Sequence, residues 1–155
     1  MTLALMKTGE AGRELIKLAE GLALHAYPDP ATHGEPWTVG YGHTSRAGAP
    51  AVHPGMTITA IEAERILNVD LAVFEAAVMK ALSRTPSQNQ FDAMVSLCFN
   101  IGAANFAHSH LVQFFNAGNI ARAASTFLNW DHANGHVLPG LLTRRRAERD
   151  LFLKA

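Results

Sequence analysis

Cysteine, charge and long apolar runs are all scarce in this chain. Cys98 is the only cysteine, so no internal disulfide can form and a thiol-rich metal site is excluded. A buried, inert thiol is the expectation. Apolar stretches fall far short of the roughly 18 residues that a membrane span needs. The opening Met1-Thr2-Leu3-Ala4-Leu5-Met6-Lys7 places its lysine after the apolar residues and has no long hydrophobic run. That speaks against a secretory signal, and the chain is expected to start in the cytosol. No repeat or low-complexity tract is present. Charged residues are 17% against 48% hydrophobic, which excludes a disordered chain. At 155 residues there is room for one domain, or for two small lobes sharing a core.

Charge of either sign is unevenly spread. Residues 1–78 hold five Lys/Arg and nine Asp/Glu, giving −4, and residues 79–155 hold eight and four, giving +4. Arg144-Arg145-Arg146 supplies much of the basic half. An anionic partner such as a cell wall, nucleic acid or membrane surface would fit, as would a solvated helix face. Eight histidines make the chain cationic below pH ~6.5, which should strengthen binding to an anionic wall.

Apolar periodicity and caps predict a mainly helical chain. Thr8 can cap a first helix whose Leu15, Leu18, Ala19 and Leu22 follow helical spacing. Gly21 stops it and leaves Glu20 in its last turn. Leu24–Tyr27 and Trp37–Tyr41 read as the strands of one small hairpin, and residues 45–57 as loop. Thr59 to Glu62 and Ser87 to Gln90 match capping boxes. The first opens a long helix to about Leu82, with Leu67, Leu71, Phe74 and Val78 on one face. The second opens a helix that is apolar nearly all round, hence central, apart from Asp92, Ser96 and Asn100. That stripe either faces solvent or reaches a cleft at its Asn100 end. Shorter helices are expected over 109–116, 119–129 and 140–153, with a loop from Asp131 to Pro139. The fold class is therefore α+β, mainly α. A hairpin lobe (1–58), a connecting helix (59–82) and a helical lobe (83–155) would form one catalytic domain around a cleft.

Chemistry concentrates near the hairpin. Glu20 ends a helix, Asp29 sits between two prolines, and Thr38 opens the second strand. Glycosidic cleavage needs a proton for the leaving oxygen and a water or charge on the other face of the sugar. A glutamate held in a partly apolar place, as Glu20 beside Ile16 would be, can stay protonated near neutral pH. A carboxylate and a hydroxyl can hold a water. Each residue also has a plain reading: Glu20 as a surface residue paired with Lys17, Asp29 as turn chemistry, Thr38 as a strand residue.

Glu20-Gly21, Ala26-Tyr27-Pro28-Asp29 and Trp37-Thr38-Val39-Gly40-Tyr41-Gly42-His43-Thr44 together resemble the active-site signature of phage-type lysozymes, glycoside hydrolase family 24. The resemblance continues through Ile58-Thr59, Glu62-Ala63-Glu64, Asp92 to Ser96, Phe99 to Gly102, and Gly140-Leu141 with Arg144-Arg145 and Glu148. It implies a lysozyme-like fold and an endolysin that hydrolyses the β-1,4 bond between N-acetylmuramic acid and N-acetylglucosamine. Glu20 would be the general acid. Asp29 and Thr38 would hold the attacking water, with inversion at the anomeric carbon. Asn100 would face the cleft and Arg144 would be the arginine beside the catalytic glutamate, both as substrate contacts; Tyr41 would be packing or a sugar contact, and no cofactor or metal is implied. Eight residues separate Asp29 from Thr38 where many members have five. The added material from Pro30 to Pro36 should lengthen the hairpin tip while leaving its ends in register, and Glu35 within it is an alternative to Asp29. His43 reads as a structural hydrogen-bonding residue, and Trp130 as core or a sugar platform.

The implied partner is peptidoglycan rather than nucleic acid. The protein would be a monomer released from the host cytoplasm to the wall in the periplasm. The basic segment Leu141–Lys154 could touch an anionic outer membrane or simply dock as a helix. Rival readings are a lytic transglycosylase using one glutamate and no water, a non-catalytic wall-binding module, and a metal amidase built on His108, His110, His132 and His136. In the last, Asn134-Gly135 would make the second pair a turn.

Overall fold

The computed structural model describes residues 5–133 and 135–154. The leader reading at Met1–Ala4 and the Asn134 half of the expected turn lie outside the described residues. The helices are α1 (Glu10–Glu20), α2 (Ala60–Ala81), α3 (Gln88–Ile101), α4 (Ala103–Ala107), α5 (His110–Asn116), α6 (Ile120–Thr126) and α7 (Pro139–Leu153). The strands are β1 (Ala23–Tyr27), β2 (Thr38–Gly40), β3 (His43–Thr44), β4 (His132–Ala133) and β5 (His136–Val137). The α+β, mainly helical class stands.

Two compact units share the chain. One is Ile16–Ala72, and the other joins the described residues up to Leu15 to those from Val73 onward. The divisions fall inside α1 and α2, not at the 58/59 and 82/83 lobe limits read from the sequence.

In the hairpin unit the strands run antiparallel in the order β1-β2-β3. Tyr27 pairs with Thr38 and Ala23 with Gly40, with a register shift between the two pairs, so the strands that carry the longer tip do not keep the regular register expected of them. β3 is an addition to the expected two strands, with Val39 opposite His43. The free edge of β1 is covered by the following loop: Ala26 donates to the Met56 carbonyl at 2.8 Å and Ile58 to Leu24 at 2.9 Å. This satisfies backbone groups that an open edge would leave exposed. A short 3-10 turn at Ser45–Ala47 interrupts the expected loop.

In the helical unit α3 is the core, buried from Phe91 through Cys98. Its capping box is present, with Ser87 and Gln90 bonding reciprocally. Ser109 and Asn119 cap α5 and α6. Phe127 packs edge-on against Phe152 at 5.3 Å, and Phe115 against the same ring at 6.2 Å. Leu67, Leu71 and Val78 are buried along α2 as expected, and Phe74 meets Phe99 at 5.2 Å.

Four further expectations need correction. The Leu15–Leu18–Ala19–Leu22 stripe is not the buried face of α1: Leu18 is 89% exposed, whereas Ile16 and Gly12 are buried. Thr8 does not cap α1, because its hydroxyl and its N–H both donate to Glu75 Oε2 at 2.6 Å. The capping acceptor is Asp92, which takes the N–H groups of Gly9 at 2.9 Å and Gly12 at 3.1 Å. Residues 131–139 are not all loop, since β4 and β5 pair there. The short helix α4 follows α3 directly, where none was expected.

Candidate active site

Helix α1 ends where the sequence places its stop. Gly21 has φ +73 and donates to the Lys17 carbonyl at 2.9 Å, a left-handed cap that glycine adopts without strain. Glu20 is thus the last helical residue, and it is half-buried. Its carboxylate lies against the turn between β2 and β3. A Cβ added at Gly42 would come 2.8 Å from Glu20 Oε1, closer than such atoms approach. Gly40 and Gly42 have φ +67 and +76, so this turn requires glycine on conformational grounds as well.

Lys17, one turn before Glu20, forms an ion pair with Glu64 of α2. Its ammonium also lies 5.5 Å from the centre of the Tyr41 ring. Tyr41 is only 8% exposed, so packing is what its surroundings establish.

Asp29 sits at the base of the hairpin tip. Its N–H donates to Gly34 at 3.0 Å, and its carbonyl accepts from His33 at 2.8 Å. These bonds close the added residues into a turn of their own and hold Asp29 two positions beyond the Tyr27–Thr38 pair. Thr38 opens β2. Both residues are half-buried, whereas Glu35 is exposed. Glu20, Asp29, Thr38 and Tyr41 all belong to the hairpin unit.

His43 follows this turn and is fully buried. Its Nε2 bonds the Pro50 carbonyl at 2.9 Å and its Nδ1 meets Asp70 Oδ2 at 2.7 Å. A carbonyl only accepts, so Nε2 carries a hydrogen, and one further proton bridges Nδ1 and Asp70. Burial raises the Asp70 pKa, opposed by the hydrogen bond and charge of His43. The structural reading of His43 stands, and Asp70 was missed because nothing local marks it.

Asn100 and Arg144 belong to the helical unit. Asn100 is exposed near the end of α3. Its stripe-mates are not on the surface: Asp92 caps α1, and Ser96 donates to Glu148 Oε2 at 2.5 Å. Arg144 Nε donates to the same oxygen at 3.2 Å and Nη2 to the Ser96 carbonyl at 3.1 Å. Arg145 Nε meets Glu148 Oε1 at 2.7 Å. Burial raises the Glu148 pKa, opposed by both guanidinium groups and the Ser96 hydroxyl. Two of the three consecutive arginines are thus turned inward, and α7 is a docked helix. Cys98 is buried and its thiol is pushed up to about 12 by that burial.

A helix-terminal glutamate set on a glycine turn thus lies in the same unit as a hairpin carrying an aspartate and a threonine. The profile of the Phage lysozyme family matches residues 17–148, and the chain belongs to that family. It is 43% identical over 150 residues to an endolysin of Salmonella phage P22, covering 96% of this chain and 99% of that one. It is 41% identical over 148 residues to an endolysin of Bacillus phage B103, covering 96% of this chain. The chain spans about half the length of that relative, 54%. An endolysin structure from Escherichia coli O157:H7 phage FAHEc1 superposes with a TM-score of 0.87 at 39% identity, covering 97% of this chain and 95% of that one. No helix among the described residues is long and apolar enough to cross a membrane.

Proposed function

We propose that this protein is an endolysin that hydrolyses the β-1,4 bond between N-acetylmuramic acid and N-acetylglucosamine in peptidoglycan. The observation that carries this reading is the Glu20 carboxylate at the end of α1, packed on Gly42, in the unit that also bears Asp29 and Thr38. Membership of the Phage lysozyme family supports it.

Glu20 acts as the general acid and gives its proton to the leaving glycosidic oxygen as the anomeric C–O bond breaks. Asp29 and Thr38 hold a water on the opposite face, and Asp29 takes its proton as the new C–O bond forms. The configuration inverts. The bonds that fix Asp29 at the base of the tip support it over the exposed Glu35. Asn100 and Arg144 are the proposed substrate contacts, carried over from the resemblance, while the buried Tyr41 is read as packing. The protein works as a monomer, is made in the host cytoplasm, and acts on the wall in the periplasm after release. Contact of α7 with an anionic outer membrane would fall to Arg146, Arg149 and Lys154, since Arg144 and Arg145 are buried.

Glu20→Gln tests the assignment, because an amide keeps the shape and cannot deliver the proton. Lysis of wall suspensions should fall by roughly 10²-fold or more, with the fold intact by circular dichroism. Near-wild-type lysis by that variant rules the mechanism out. A transglycosylase also needs the acid but no water, so loss of activity in Asp29→Asn and Thr38→Ala separates the two.

A further inference from the structure

We propose that Tyr27 is a substrate-binding residue, whose ring is a stacking platform for the sugar on the N-acetylmuramic acid side of the scissile bond. The inference rests on the reading of Glu20, Asp29 and Thr38 as the hydrolytic site. Tyr27 ends β1 and pairs directly with Thr38, which opens β2. Residues opposite each other in an antiparallel ladder point to the same face of the sheet, with Cβ atoms about 4.5–5.5 Å apart. Successive strand residues alternate between faces, so the fully buried Val39 takes the other one. Tyr27 is 42% exposed, and it is the one exposed aromatic side chain among the described residues. From Thr38, β2 runs on to the turn where the Glu20 carboxylate rests at Gly42.

Core packing does not account for this ring. The other tyrosine, Tyr41, is buried, whereas Tyr27 leaves apolar surface in water that a bound sugar would cover. One face of a pyranose presents C–H groups. A phenol suits it, with an apolar body and a hydroxyl that stays wet. Tyrosine also has only two side-chain torsions, so little freedom is lost on contact. The water held by Asp29 and Thr38 attacks the anomeric carbon of N-acetylmuramic acid, so the ring flanking Thr38 lies on that sugar's side. Asp29 follows Tyr27 by two residues, and its backbone bonds to Gly34 and His33 anchor the chain on which the ring sits.

The test compares Tyr27→Leu, which keeps an apolar side chain and loses the ring, with Tyr27→Phe, which keeps the ring. Both are assayed on a soluble peptidoglycan tetrasaccharide beside Glu20→Gln. Tyr27→Leu should raise KM roughly three- to tenfold with kcat changed less than about twofold, and Tyr27→Phe should stay within about twofold of the parent KM. A second measurement leaves Tyr27 in place, in case Tyr27→Leu fails to fold by circular dichroism. Tetranitromethane should nitrate exposed Tyr27 ahead of buried Tyr41, and saturating tetrasaccharide bound to Glu20→Gln should slow nitration of Tyr27. An unchanged KM in Tyr27→Leu, a loss that phenylalanine does not rescue, or nitration of Tyr27 that the tetrasaccharide leaves undiminished overturns the proposal. Cleavage of the tetrasaccharide by Glu20→Gln instead overturns the reading beneath it, so the two failures are distinguishable.

Discussion

The Glu20 carboxylate lies where the side chain of residue 42 would be, and only a glycine at that position leaves it there. Gly42→Ala would place a methyl 2.8 Å from Glu20 Oε1 at a backbone φ of +76. Left-handed backbone costs an alanine about 1–2 kcal/mol, and the carboxylate, being the mobile partner, must move. Activity is therefore expected to fall at least tenfold while melting drops only modestly. Paired kinetics and thermal denaturation check this. A variant that loses stability but keeps its kcat would contradict it.

Asp92 should be among the least replaceable polar residues outside the hairpin unit. It accepts two backbone N–H groups at the start of α1 and the Gln88 amide at 2.8 Å. Asp92→Ala leaves the Gly9 and Gly12 N–H groups without that acceptor, at a cost of roughly 2–4 kcal/mol. Urea denaturation measures it. Gly12→Ala should be destabilising for the complementary reason, since its Cβ would fall 2.7 Å from that of Asp92.

These two aspects show what the sequence could and could not reveal. Caps within one segment, such as Ser87 with Gln90, are legible because donor and acceptor are neighbours. The cap that Asp92 provides comes from 80 residues away and leaves no local trace. The buried face of α1 was misread because it is built on Gly12 and Ile16. A glycine used for close approach adds nothing to an apolar pattern, whereas exposed Leu18 and Leu22 add much. Two-residue strands such as β4 and β5 are too short to show alternation. Motif order marks Glu20, Asp29 and Thr38 as candidates, whereas the partnership of His43 with Asp70, 27 residues apart, shows only once the chain folds.

The proton bridging His43 and Asp70 makes stability depend on pH. Because burial raises the Asp70 pKa above its ordinary 3.8, the folded state holds that proton more tightly than the unfolded state. The stabilisation is complete below the ordinary value and is lost as pH rises through the raised one. Asp70→Asn should melt lower than the parent, and the gap should narrow as pH rises above the ordinary carboxylate value. A gap that widens with pH would count against this arrangement. His43→Ala, which breaks both bonds, should cost roughly 3–5 kcal/mol.

Cys98 should be silent in the native protein. Its thiol is buried and shifted to about 12, and only the thiolate reacts. Disulfide-exchange reagents at pH 8 should label it on unfolding and not before. Rapid labelling of the native state would show that α3 opens.

The central claim concerns the bond that is cut and the fate of water. Purified peptidoglycan digested with the protein, its product ends read by mass spectrometry, tests it most directly. Hydrolysis at the site of Glu20, Asp29 and Thr38 predicts reducing N-acetylmuramic acid ends with one water added per cut. Anhydromuramic ends, or peptide cleavage with the glycan intact, would contradict the account.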